Sequence, residues 1–200
     1  VDDERDMFSP LRASAEMWPA FAANVAAAAG RDAGFRPTGA LGVAARPEHV
    51  PLLRRRRETL AAWGVPCEWR TGSQLRAAEP GLGPGAGGGI AFDDESQVEP
   101  RAFIAALRAA AAAAGVVVRA AGAASLQRSG AGAVCGVRDN HGDEHAARRV
   151  VLAAGHSAGR LSQRVPVRPV KGQILRLRET ATAPVPIART IRTPEVYLAP

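Results

Sequence analysis

Few side chains in this sequence can do chemistry at a reacting centre. Tyr197, in VYLAP, is the single tyrosine. Its phenol can donate a hydrogen bond to a ligand, or its ring can fill a core with the hydroxyl left at a sheet edge. Lys171, in VRPVKGQILRLR, is the only lysine in a chain crowded with arginine. As a compact charge with three donors it can face an anion where a planar guanidinium does not fit; a solvated lysine at a strand start is the plainer alternative. His156, in GHSAGRL, follows a strand-like apolar run and a glycine. The cysteines, Cys67 and Cys135, lie far apart with no CxxC or Cys/His spacing, so they indicate neither a zinc site nor a disulfide framework and are expected as buried free thiols.

Two arrangements invite a phosphate reading and fail on context. Pro84 to Gly89, PGAGGG, lacks the lysine and hydroxyl of a Walker loop, and a dinucleotide loop needs GxGxxG between a strand and a helix, whereas Ile90, Ala91 and Phe92 follow here as strand. A flexible turn is expected. The run Arg54 to Arg57 steps around a helix axis by about 100° per residue, so it surrounds the helix and forms no single stripe. The net charge of +7 is spread along the chain and aromatics are scarce, which disfavours a nucleic-acid partner. No apolar run reaches the roughly 18 to 20 residues of a membrane span, and no signal peptide opens the chain, which points to the cytoplasm. The first residue is Val1 and not Met, so the natural N-terminus is expected to lie upstream.

The elements that would position these groups follow from caps and periodicity. Ser9 with Pro10 predicts a helix start, and Pro19 a kink or break before Ala29. Gly39 to Ala45 reads as a strand, and the segment from Pro47 as a helix closed by Gly64. VPCEWR reads as a short extended piece and TGSQLRAAEPGL as a short helix stopped before Pro80. Glu99-Pro100 opens a helix through Ala114 that Gly115 ends. Val116 to Ala120 reads as a buried strand, and AVCGVRD and EHAARRVVLAAG as two arms of a hairpin turned at NHGD. The second arm runs as a buried strand into a glycine turn. Such an edge lets backbone approach a flat or anionic cofactor at the carboxyl end of a sheet; on the residues alone an ordinary tight αβ crossover is the favoured alternative.

Taken in order, QVEPRAFIAALRAAAAAAGVVV, RRVVLAAGHSAGRL, VRPVKGQILRLR and VYLAP resemble the FAD-dependent D-amino acid oxidase superfamily, most closely its glycine oxidases of thiamine biosynthesis. The resemblance spans the chain, and VRPVKGQILRL with VYLAP is its specific part. It implies an α/β fold in which an FAD-binding Rossmann-type domain, incomplete here, interleaves with a mostly antiparallel β-sheet substrate domain. Residues 1–28 would be a helical segment of the FAD domain, 29–92 the first part of the substrate domain, 93–162 FAD-binding, and 163–200 the second substrate part. The family's strand, GxGxxG turn and acidic ribose-binding residue are not among these residues, nor is the arginine that pairs with the substrate carboxylate. The chain therefore looks like an internal fragment.

Carried onto this sequence, Ala154 and Gly155 look like the turn whose backbone lies near FAD, and Ala124 like the position whose backbone meets the adenine. Tyr197 matches the tyrosine that reaches over the flavin to the substrate carboxylate. VRPVKGQILRL looks like the first long strand of the substrate sheet, with Ile174, Leu175 and Leu177 as its apolar content. The departure is at His156, Ser157 and Ala158, where the family carries an aromatic residue. Hydride transfer from an amino acid needs no base, so His156 is read as a packing or hydrogen-bonding residue. The implied reaction is oxidation of glycine or another small amino acid to the imine and oxo acid, with oxygen as acceptor and hydrogen peroxide released. A homo-oligomer stays open. Sarcosine oxidase or D-amino acid dehydrogenase activity shares the architecture, and a non-enzymatic basic binding module is the rival outside enzymes.

Overall fold

The computed structural model describes residues 2–162, 164, 166–177 and 187–200. In chain order its elements are α1 (Asp2–Ala29), β1 (Phe35–Arg36), β2 (Ala40–Val43), α2 (His49–Ala62), β3 (Glu68–Thr71), α3 (Gly72–Ala78), β4 (Gly88–Phe92), β5 (Gln97–Val98), α4 (Pro100–Ala113), β6 (Ala123–Arg128), β7 (Val134–Asp139), β8 (Glu144–Ala146), α5 (Ala158–Leu161), β9 (Thr190–Arg192) and β10 (Tyr197–Leu198). They fall into two compact units, Val1–Val116 with Leu177–Pro200, and Val117–Arg176.

The first unit is built on a five-stranded sheet in the order β10-β9-β2-β4-β3, in which β9 runs parallel to β2 and every other pair is antiparallel. Side chains alternate across a strand, so β2 and β4 feed two cores. Leu41, Val43 and Ala91 join Leu75, Ala86 and Ile191 on one face. Ala40, Ile90 and Phe92 meet Leu53, Leu60, Val65 and Trp69 on the other. Leu41, Leu75 and Ile90 are fully buried, each stabilising the fold by roughly 1.5–3 kcal/mol. The glycine-rich stretch is an element of this core. A Cβ at Gly89 would stand 2.1 Å from the Gly42 carbonyl oxygen, so only glycine lets β4 close on β2.

Local chemistry sets most element ends as expected. The Glu99 carboxylate accepts the Ala102 N–H at 2.6 Å and Pro100 takes the first helical position of α4. Thr71 and Gln74 close a reciprocal capping box on α3. α1 departs from expectation: it starts at Asp2 and runs through both Pro10 and Pro19. Tertiary packing explains this. Ala22 and Val25 bury against Ala106 of α4, and Trp18, Phe21 and Phe103 stack with centroids 4.9 to 5.8 Å apart, enough contact to offset a lost backbone bond. On α2, Arg54 lies over the Trp69 ring at 4.2 Å while Arg55, Arg56 and Arg57 stay exposed.

The second unit holds a three-stranded antiparallel sheet, β6-β7-β8. The hairpin turned at NHGD forms as expected, but β8 stops at Ala146. Three expected strands do not form. Val116 to Arg119, Arg149 to Ala154 and residues 166–177 have no regular secondary structure, and their apolar side chains, among them Val117, Val151, Ile174, Leu175 and Leu177, are exposed. A strand exists only in a ladder with a neighbour, and among the described residues none pairs with these segments. Lys171 is accordingly exposed in an irregular run. The cysteines also differ from expectation: Cys67 is half-buried, and Cys135, on β7, is exposed. No helix among the described residues is long and apolar enough to cross a membrane.

Candidate active site

Tyr197 is carried by the hairpin β9–β10, and the hairpin is set by its turn. Thr193-Pro194-Glu195-Val196 supplies a rigid second position in Pro194. The Thr193 N–H donates to the Val196 carbonyl at 2.8 Å, and the Thr193 hydroxyl oxygen accepts the N–H groups of Glu195 and Val196. The first strand is anchored from below. Glu79, only 2% exposed, accepts the N–H groups of Ala188 and Arg189 through one carboxylate oxygen, both at 2.9 Å, which fixes the approach of β9 to β2. At the turn, Glu195 lies 3.4 Å from Arg46 and 3.5 Å from His49, whose buried Nδ1 has no hydrogen-bond partner among the described residues.

On β10, Tyr197 pairs in register with Arg192. Its ring is not in the core: Tyr197 is 61% exposed. The Arg192 guanidinium stands 5.8 Å from the ring centroid and grips Glu95 with two bonds, Nη1 to Oε1 at 2.9 Å and Nη2 to Oε2 at 2.7 Å. Desolvation opposes the charge on Arg192, yet the hydrogen-bonded Glu95 carboxylate and the Tyr197 hydroxyl outweigh it and raise its pKa. Beside this pair, Asp93 takes Arg70 at 2.6 Å and Arg189 at 3.0 Å. One end of the sheet thus carries a charge-compensated belt with an exposed phenol at its edge.

The second unit contains the other singled-out residues. Ala124 is the extra residue of a bulge in β6: Ala123 and Ser125 oppose the consecutive residues Asp139 and Arg138, leaving Ala124 without a partner on β7. The bulge is held by Asn140, whose side chain accepts the Gly122 N–H and whose N–H donates to the Gly122 carbonyl. Ala154 precedes a tight turn at Gly155–Ser157, closed by the Ser157 N–H on the Ala154 carbonyl at 3.0 Å, and the chain continues into α5, which lies against β6. Gly155 has φ +54°, and nothing lies within 4 Å of where a Cβ would be. An unpaired backbone at Ala124 and an open glycine turn leave main-chain atoms accessible, which is compatible with a group recognised through backbone atoms. His156 is exposed in the same turn. Sequence reading passed over Arg192, Glu95 and Glu79, since nothing in RTIRTP, DDES or RAAEPG marks them; the fold brings Glu95 to Arg192 and Glu79 to the N–H groups of Ala188 and Arg189 just before β9.

The family profile described as FAD dependent oxidoreductase matches residues 3–200. The chain belongs to this family. As an FAD dependent oxidoreductase it has relatives that share its sequence more closely. It is 32% identical over 183 residues to the glycine oxidase of Geobacillus kaustophilus, covering 88% of this chain and 47% of that protein. It is 35% identical over 134 residues to the bifunctional protein ThiO/ThiG of Synechocystis sp., covering 66% of this chain and 20% of that protein. The crystal structure of glycine oxidase from Geobacillus kaustophilus superposes with a TM-score of 0.75 at 26% identity, over 94% of this chain and 50% of that one. The glycine oxidase of Bacillus cereus shares the fold at a TM-score of 0.70 and 21% identity, over 79% and 43% of the two chains. The chain thus spans about half the length of the glycine oxidases it matches. The mixed α/β fold and the FAD dependence of the family agree with the sequence reading.

Proposed function

We propose that the full-length protein oxidises glycine or another small amino acid. The observation that carries this is Tyr197, an exposed phenol on an ordered hairpin in a chain of the FAD dependent oxidoreductase family whose relatives include a named glycine oxidase. Bound FAD would supply the redox chemistry, accepting hydride from the substrate Cα and passing the electrons to oxygen as hydrogen peroxide. The protein's part is recognition. Tyr197 donates its hydroxyl hydrogen to the substrate carboxylate and so holds the amino acid in one orientation. The backbone at Ala124 meets the adenine, and that at Ala154 and Gly155 lies along the cofactor. The imine product hydrolyses to the oxo acid.

In the same reading residues 93–162 supply FAD-domain structure, 29–92 and 163–200 the substrate sheet, and 1–28 a helix of the FAD domain. The packing of α1 on α4 supports placing those two helices together. Cytoplasmic location and a place in thiamine biosynthesis belong to the proposal as well. The test is direct: flavin-loaded full-length protein releases hydrogen peroxide with glycine, sarcosine or small D-amino acids. No peroxide from any of them rejects the oxidase reading.

A further inference from the structure

We propose that Glu95 and Arg192 are positioning residues for Tyr197, a relay that runs from the end of β4 to the exposed edge strand and sets how tightly the substrate carboxylate is held. This rests on the reading that the Tyr197 hydroxyl meets that carboxylate. The edge strand alone does not hold the ring. β10 has two residues, pairs only with β9 among the described residues, and leaves Tyr197 largely in solvent. A phenol so placed samples several rotamers and spends part of its time aimed away from a ligand.

What restricts it is Arg192, directly opposite in the ladder and on the same face of the sheet. A guanidinium is a rigid plane, and both of its terminal nitrogens are engaged by the two oxygens of Glu95, so its orientation is fixed by a fork-to-fork pair. Glu95 is itself tied to the buried sheet: its carbonyl accepts the Gly39 N–H at 2.8 Å, one residue before β2, and its N–H donates to the Phe92 carbonyl at 3.3 Å. Order therefore passes from the core strands to Glu95, to Arg192 and to the tyrosine. The contact also leaves the phenol free to donate. The guanidinium stands at the ring, 5.8 Å from its centroid, and has only donors, so it cannot take the phenol's one hydrogen, which is left for an anion. Because Glu95 neutralises the guanidinium, the pair presents no surplus charge of its own to the substrate. Its work is to aim the phenol.

The test is a double-mutant cycle in the flavin-loaded full-length enzyme, with glycine as substrate and peroxide release as the rate. Tyr197→Phe is expected to raise KM about 10-fold or more, and Glu95→Gln and Arg192→Gln about 3- to 10-fold, each with kcat within about twofold. The double variants with Tyr197→Phe should match Tyr197→Phe alone, since a relay acting through the phenol has nothing left to aim. Arg192→Lys keeps the charge and loses the fork, so it should not restore KM. If Glu95→Gln yields no folded protein, the two Arg192 variants complete the same cycle. A raised KM for Tyr197→Phe with silent changes at Glu95 and Arg192 overturns the relay and leaves the carboxylate reading standing. A loss at Arg192 that persists in the Tyr197→Phe background means the guanidinium binds the carboxylate itself, and also overturns it. An unchanged KM in Tyr197→Phe removes the carboxylate reading and the relay together.

Discussion

Tyr197 was visible in the sequence as the single tyrosine, but whether it belonged to a core or to a site was not. The core alternative required burial, and the ring is 61% exposed. That changes what its removal should do. Tyr197→Phe takes no hydroxyl out of a packed interior, so stability should move by no more than about 0.5 kcal/mol, as for other surface positions. In the proposed site the hydrogen bond it removes would be to the substrate carboxylate, a charged group, and worth about 1.5–3 kcal/mol. A carboxylate is bound equally in ground and transition states, so the loss should appear as a KM raised about 10- to 100-fold with kcat moved less. Steady-state kinetics and thermal melts on the full-length enzyme check both halves; a lowered melting temperature with unchanged KM would end the substrate role. Arg192 and Glu95 lie five and 102 positions from Tyr197 in sequence, and no spacing rule links them. A two-residue strand register and one turn do.

At the scale of elements, local signals with a private mechanism were readable. A carboxylate followed by proline caps its own helix at Glu99 whatever the rest of the chain does. Signals that depend on partners were not. Pro19 argued for a break and was overruled by the burial of Ala22 and Val25. Glu79 looked like a helix-end residue and instead serves β9, more than a hundred residues away. Glu79→Ala should leave the N–H groups of Ala188 and Arg189 without their partner and cost about 1–3 kcal/mol. Denaturant unfolding of the full-length protein would measure this, and an unchanged midpoint would show that the anchor is dispensable. In the small sheet, Asp139 receives His145 Nε2 at 2.9 Å and the N–H groups of His141 and Asp143, and the His145 bond, with those two, holds its carboxyl below the usual aspartate range. A depressed folded pKa means that the stabilisation is complete above the unfolded value of about 3.9 and is lost as pH falls through the lower folded value. Amide exchange at His141 and Asp143 should therefore quicken in acid below the ordinary aspartate range, and Asp139→Asn should abolish that pH dependence.

At the scale of the whole molecule, the proposed cofactor contacts in these residues are backbone groups alone, at Ala124, Ala154 and Gly155. The run Gly83 to Gly88 connects α3 to β4 and so is not the strand-to-helix turn that cradles a pyrophosphate. The exposed apolar side chains at Val117, Val151, Ile174, Leu175 and Leu177 add surface that favours association. The 200-residue chain expressed alone should therefore purify without flavin, whereas the full-length protein should be yellow. Flavin absorbance near one equivalent in the isolated chain would reject this.

The sequence by itself determined the family, the FAD dependence, the mixed α/β class, and the helix ends that carry their own caps, because each of these rests on residue types at short range or on a motif order preserved along the chain. Only the tertiary structure decided which apolar runs become strands. Gly39 to Ala45 and Ile90 to Phe92 find neighbours and bury; Val116 to Arg119, Arg149 to Ala154 and residues 166–177 also carry apolar side chains in sequence but pair with nothing among the described residues. A helix satisfies its backbone within itself, whereas a strand borrows its hydrogen bonds from another part of the chain. The same dependence governs the site. Tyr197 is named by its sequence, but its exposure, its facing of Arg192 and the grip of Glu95 on that arginine arise where β9 and β10 meet the end of β4, and no local pattern records that meeting.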